Sequence, residues 1–396
     1  MKIPLLKDHH SHPMLYTALQ ECLNISNIYC KKEALALFHN LNNEINIITG
    51  WYNNRYTFIP EDIETFRPII ILNISLHTLV LNKGAIEFLQ EKNSELAYKY
   101  NDKIWIERNL FKLVKTIVAI ACTKHSEQLN TFYDSQLNKN GIYHIEEMSC
   151  CGEFEIDAYK VSNLLPRTKL WIDPDDITKI HPDKFKYIHG VKLFTDGGTG
   201  SKTAAIKSKY ISGGTGILNY KDKELRRLFE YISDLKLPLA VHSIGDLAIE
   251  QVINVLSESQ LSIPIRLEHC TFISFEMAKK AKALNLTLSM QPNFSYMSVN
   301  YKDRLPKHYL EVLNPFRMLI DRLNFSPGKD LIFGSDGMPH GVNCAINASF
   351  FPPLVSQKLT IEEFIAGYCI NDNKAGYVDI IIDSEQRNIK TAVTVN

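Results

Sequence analysis

From about residue 140 onward, short apolar runs alternate with amphipathic helical patterns, and this alternation leaves few architectures open. The runs are "GIYHIEE" (141–147), "KLWID" (169–173), "GVKLF" (190–194), "LPLAVH" (237–242), "IRLEH" (265–269), "LTLSMQ" (286–291) and "LIFGSD" (331–336). Between them, Leu225, Leu228, Phe229, Ile232 and Leu235 follow an i, i+3, i+4, i+7 pattern. Ala248, Val252, Val255 and Leu256 do the same, as do Met277, Ala281 and Leu284. "TIEEFIAGY" opens on a capping box, Thr360 to Glu363. Nearly continuous apolar strands separated by helices pair in parallel under a helical cover. "IPLL" (3–6) supplies an eighth strand. The fold class is therefore α/β, a (β/α)8 barrel of TIM type. An open doubly wound sheet is the alternative, and only the barrel sets the first strand beside the eighth.

Residues 20–135 do not fit the eight-unit count, and the pattern predicts an α/β insertion after the first strand that caps the barrel mouth. The chain then divides into the first strand and its His motif (1–19), the insertion (20–135), the rest of the barrel (136–376) and residual C-terminal strands (377–396). With 45% apolar and 22% charged residues the composition is that of a globular enzyme. Lys+Arg and Asp+Glu both total 44, so charge points to neither nucleic acid nor an anionic membrane as partner. The eight cysteines show no C-x-x-C, and Cys150 and Cys151 are adjacent, which suits reduced thiols. "MKIPLLKDHHSHP" lacks a signal-peptide apolar region, and "PIIILNISLHTLVL" is too short and too polar for a bilayer. The expected location is cytoplasmic. The expected partner is a small-molecule substrate, with a homo-oligomer left open.

"VKLFTDGGTGSKTAA" (191–205) has the glycines and the lysine of a phosphate-cradling loop. However, Ser201 separates Gly200 from Lys202, whereas a Walker A loop needs the Lys directly after the last Gly. Barrel chemistry sits at the C-terminal ends of the strands. Those ends carry His10 and His12, Lys192, His242, His269 and Asp336. His10-x-His12 leaving an extended strand points two imidazoles the same way, with Asp8 on the same face to fix a ring tautomer. Each residue has an ordinary reading: a surface His cluster, a satisfied core imidazole, a salt-bridged Asp336. Lys192 is an ion pair with Asp196 or Asp336, or an amine carboxylated by CO₂ to an anionic ligand. Taken jointly, six such groups at five strand ends favour a shared cation over the separate readings.

The order "PLLKDHHSH", "VKLFTDGG", "VHSIGD", "RLEHC", "GSDG" resembles the amidohydrolase superfamily, in its amidohydrolase 3 branch with the N-substituted formamide deformylases. The resemblance covers nearly the whole chain. It implies His10, His12, carboxylated Lys192, His242 and His269 as ligands of one or two divalent ions, zinc by preference, with Asp336 as ligand and general base and Lys192 also counted as catalytic. Asp8, His77, Asp196, Lys202, Asp246, Gln291 and His340 are its candidates for contacts to substrate or to the ligands, and "SLHTLVLN", with His77 and Asn82, resembles segments over the pocket. The chain departs from the pattern at Leu5 and Lys7 in the first strand and at Lys202, where Arg is usual. The family's β-sandwich is expected to be absent or reduced to a hairpin.

The activity implied is hydrolysis of C–N bonds other than peptide bonds: an amide, N-formyl or cyclic amide substrate attacked by metal-activated hydroxide. The alternatives are a deaminase, a lactone or ester hydrolase on the same centre, and a non-catalytic barrel that binds a small molecule.

Overall fold

The structure, a computed structural model, describes residues 1–74, 76–92, 103–383 and 385–396. The expected insertion at 20–135 includes residues 75 and 93–102, and the C-terminal strands include 384, all outside the described residues. The chain forms two compact units, residues 1–16 with 124–396, and residues 17–123.

The larger unit is a (β/α)8 barrel. Its strands are β1 (Leu6–Ser11), β2 (Ile142–Cys150), β3 (Thr168–Ile172), β4 (Ile188–Phe194), β5 (Leu239–Ser243), β6 (Ile265–His269), β7 (Thr287–Met290) and β8 (Leu331–Phe333). Each pairs in parallel with its neighbour in this order. β8 meets β1 through a tight seam rather than a ladder: Asp336 N–H donates to the His10 carbonyl at 2.7 Å. Gly334 makes the approach possible, because a Cβ there would lie 2.5 Å from His10 N. Gly190 does the same inside the barrel, where a Cβ would meet the Trp171 ring at 2.5 Å.

The expected first strand, "IPLL" at 3–6, is corrected by the structure. Lys2–Pro4 pairs antiparallel with Tyr377–Asp379, and the barrel strand starts at Leu6 and runs through the His motif. Pro4 has no N–H, so it suits an edge strand and not a barrel strand hydrogen-bonded on both sides. The C-terminal hairpin, Gly376–Asp383 with Asn388–Val395, thereby becomes a three-stranded sheet. Of the residues near the first strand that depart from the resembled pattern, Leu5 is buried, and Lys7 is half-buried with its pKa lowered, first by burial and then by Lys169.

The helical periodicities translate directly. Asp222–Asp234 buries Leu225, Phe229 and Ile232, and its N-terminus is closed by Lys221 N–H to Glu224 Oε2 at 2.8 Å. Full burial of side chains this size contributes roughly 1.5–3 kcal/mol each. The helix Ile361–Tyr368 carries the capping box in full, with Glu363 N–H to Thr360 Oγ1 at 3.2 Å and Thr360 N–H to Glu363 Oε2 at 2.8 Å.

The smaller unit has a four-stranded sheet, in order Leu23–Asn24, Asn46–Trp51, Ile69–Asn73, Leu79–Leu81, with only the last strand antiparallel. The most apolar run of the sequence falls in its last two strands. Phe38, Ile48, Trp51, Phe58 and Ile71 form its core. Asn82 fastens it, accepting from Ile69 and Ala85 N–H, with the two hydrogens of its amide nitrogen shared among the carbonyls of Ile63, Phe66 and Arg67 at 3.0–3.1 Å. Among the described residues no helix is long and apolar enough to cross a membrane.

Candidate metal centre

β1 delivers His10 and, one residue past its end, His12. Asp336 arrives from the turn after β8 with a left-handed backbone, φ 57°. Tyr16 O–H donates to its carbonyl at 2.9 Å, which helps hold that conformation. The Asp336 carboxylate, 17% exposed, places Oδ1 3.2 Å from His12 Nε2 and 3.7 Å from His10 Nε2. One ligand atom from each of these three residues lies within 4.8 Å of the other two. Burial opposes the charge of Asp336, but His12, His10 and Lys192 hold its pKa at about 2.

β5 and β6 add the other two imidazoles. The ring of His269 is 4.5 Å from that of His10 and 4.4 Å from that of His242, centroid to centroid. His269 and Cys270 have φ of 71° and 45°, a conformation most side chains avoid. It ends the strand's alternation and turns His269 into the mouth. Phe294 stacks on the His269 ring at 5.8 Å, with the two planes 7° apart.

Each imidazole is oriented from behind, as metal-binding histidines require. His10 Nδ1–H donates to Glu268 Oε2 at 2.5 Å. His12 Nδ1–H donates to Ser149 Oγ at 2.9 Å, and Ser149 in turn donates to Glu147 Oε1 at 3.1 Å. His269 Nδ1–H donates to Gln291 Oε1 at 2.8 Å. His242 is held through its other nitrogen, Nε2, by the Gly197 carbonyl at 3.3 Å and Asp196 Oδ1 at 3.4 Å. Three rings thus present Nε2 forward and one presents Nδ1.

Lys192 on β4 has no exposed surface, and its Nζ has no hydrogen-bond partner. The Phe194 ring lies 4.9 Å from that nitrogen. Burial brings its pKa down to about 8, against the pull of Glu268 and Asp336. Its charge is also felt by His10, whose pKa burial and Lys192 together lower to about 4. A buried cation without a partner is costly, so the site is chemically incomplete as the side chains stand. Four imidazoles with one nitrogen turned inward, one ionised carboxylate and an orphaned amine are a donor set that fits a divalent ion.

The remaining candidates are placed as follows. Asp8 turns away from the imidazoles: it accepts from Ser335 N–H at 2.8 Å, from Ser335 O–H and from His10 N–H at 3.2 Å, tying the seam. Asp196 accepts from Ile244, Gly245 and Ala205 N–H at 2.8–3.0 Å, which fastens the loops after β4 and β5. Asp246 accepts from Lys207 N–H and Tyr309 O–H. Lys202 Nζ donates to Ser212 Oγ at 3.0 Å. His340 Nε2 hydrogen-bonds Ser11 Oγ at 2.6 Å and packs edge-on against Tyr16 at 5.0 Å. His77, in the smaller unit, pairs with Glu107 at 2.7 Å.

Sequence reasoning passed over Glu268, Glu147, Ser149 and Tyr16. For Glu268 a signal existed: a carboxylate inside an apolar barrel strand, two residues from Arg266 on the same face, needs partners within the barrel.

The sequence profile of the amidohydrolase family matches residues 116–344, more than half of the chain. The putative amidohydrolase YtcJ of Bacillus subtilis (strain 168) is 29% identical over 137 residues; the match takes in 33% of this chain and 26% of that protein. An uncharacterized metal-dependent hydrolase from Pyrococcus furiosus shares the fold at a TM-score of 0.64 and 20% identity, over 91% of this chain and 80% of that one. Another, from Pyrococcus horikoshii OT3, aligns at 0.60 and 20% identity, over 87% and 74%.

Proposed function

The chain belongs to the amidohydrolase family, and from that membership we propose that it is a metal-dependent hydrolase of C–N bonds other than peptide bonds, acting on an amide, N-formyl or cyclic amide substrate. The motif order supports the branch with the N-substituted formamide deformylases. The observation that carries the reading is the orphaned ammonium of Lys192, whose charge is felt by His10, His269 and Asp336. His10, His12, His242, His269 and Asp336 are the proposed ligands. Lys192 joins them as a carbamate: its neutral nitrogen bonds to the carbon of CO₂, a proton leaves, and the ammonium's place is taken by an anion.

A bound divalent ion, zinc by the nitrogen and oxygen character of the donors, supplies Lewis acidity that lowers the pKa of water and polarises a carbonyl. Asp336 accepts the proton of the attacking water at its carboxylate and delivers it to the leaving nitrogen as the C–N bond breaks. The contacts behind His10, His12 and His269 keep those rings in one tautomer through this proton traffic. Phe294 fixes the plane of His269. Lys202 and His340, on the loops after β4 and β8, are the proposed substrate contacts.

Elemental analysis of the purified chain, together with a metal-replete panel of N-formyl, N-acyl and cyclic amide compounds, tests the proposal. Asp336→Asn is expected to lower kcat by about 10²–10⁴-fold on any compound turned over. Parent-level turnover in that variant, or a metal-replete chain that hydrolyses none of the panel, sinks it.

A further inference from the structure

The barrel interior holds an ionic column that ends on the His10 ring. Arg266 and Glu268, two residues apart on β6, face the same way. The Arg266 guanidinium meets Glu268 Oε1 through Nε, Glu146 Oε2 through Nη1 at 2.8 Å, and the His9 carbonyl through Nη2 at 2.6 Å. It lies 4.6 Å from the Trp171 ring, whose N–H donates to Glu146 at 2.8 Å, and His9 Nδ1–H fills the other Glu146 oxygen at 2.9 Å. All six groups of this column, His10 included, are buried.

Glu268 therefore has one oxygen pinned by a rigid, planar fork and the other hydrogen-bonded to His10 Nδ1 at 2.5 Å. A carboxylate held at both oxygens cannot rotate, and it accepts but does not donate. The imidazole facing it must carry its proton on Nδ1 and turn its Nε2 lone pair toward Asp336. Within the metal-centre reading, on which this rests, we infer that Glu268, oriented by Arg266, is a positioning residue that sets the tautomer and ring orientation of His10. Glu146 meets Arg266, Trp171 and His9 and serves the barrel's stability.

The test reads metal binding rather than turnover, on the full chain: the Co²⁺ dissociation constant by chelator competition and the visible spectrum of the Co²⁺-loaded protein. Glu268→Gln preserves shape and removes the charge. It is expected to weaken Co²⁺ binding about 10- to 100-fold and to change the visible band, with the far-ultraviolet dichroism of the parent retained. Glu146→Gln leaves the Glu268–His10 contact in place and is expected to melt earlier while binding Co²⁺ within about threefold of the parent. Parent-like affinity and spectrum in Glu268→Gln overturn the inference. So does equal weakening in Glu146→Gln, which would mean a general loosening of the barrel. Should Glu268→Gln not fold, Glu268→Asp, whose carboxylate stops one methylene short of the ring, takes its place, and parent-like affinity there overturns it equally. A parent chain that binds no divalent ion refutes the metal-centre reading itself, a separate result.

Discussion

An ammonium with no exposed surface and no hydrogen-bond partner, as at Lys192, persists in a barrel only if it is neutral or if an opposite charge completes it. Glu268 and Asp336 supply field but no contact, which is why the proposed carbamate matters at this residue and at no other. Asp173, just past the end of β3, shows what partial burial beside like charges does to an ionisable group. Its side chain accepts from Asp175 N–H at 2.6 Å, and burial, then the charges of Asp175 and Asp176, raise its pKa to about 7. The folded value lies above the unfolded one, so between about pH 4 and 7 the folded state holds the extra proton. Stability from this group is full below that window and is lost as pH rises through it. Asp173→Asn keeps the acceptor and removes the ionisation. Thermal melting should place it above the parent near pH 7.5 and level with it near pH 3.5; parity at both values would mean that this carboxyl titrates normally.

Among the elements, the seam between β8 and β1 decides most. Asp336 is aimed by the Tyr16 and His10 contacts to its backbone, and the two strands come together only because Gly334 has no Cβ to strike His10. Gly334→Ala must push β8 off β1, at a cost of about 1–3 kcal/mol. Urea unfolding should show that loss, and an unchanged midpoint would mean the seam yields freely. Seven of the expected strands lie where their apolar runs predict, with ends shifted by a few residues where tertiary pairing overrides composition. "LIFGSD" is shorter than expected because Asp336 leaves extended backbone. The eighth, "IPLL", was legible as a strand but not as to which sheet it joins, since pairing with Tyr377–Asp379 is a contact between the two ends of the chain.

For the molecule as a whole, the proposed ion ties together five strands, so its removal should act on global stability. If the ion is present at about 100 times its dissociation constant, it adds about 2.7 kcal/mol. Chelation should therefore lower the melting temperature and zinc restore it, measured by calorimetry. Identical melting with and without chelator would show that no ion supports the fold.

By itself the sequence determined the strand–helix alternation, seven of the eight barrel strands and the six polar residues at or near strand ends, because periodicities of two and 3.6 and the position of a residue within its own run are local properties. Asp8 and Glu268 mark the boundary of that reading. Asp8 shares the strand face of His10, yet its carboxylate goes to Ser335. The partner of the His10 ring comes from β6, 258 residues away. Which carboxylate orients which imidazole was settled only in the closed sheet. Closure brings β6 within reach of β1 across the barrel, and a hydrogen bond of 2.5 Å depends on that distance and not on any spacing along the chain.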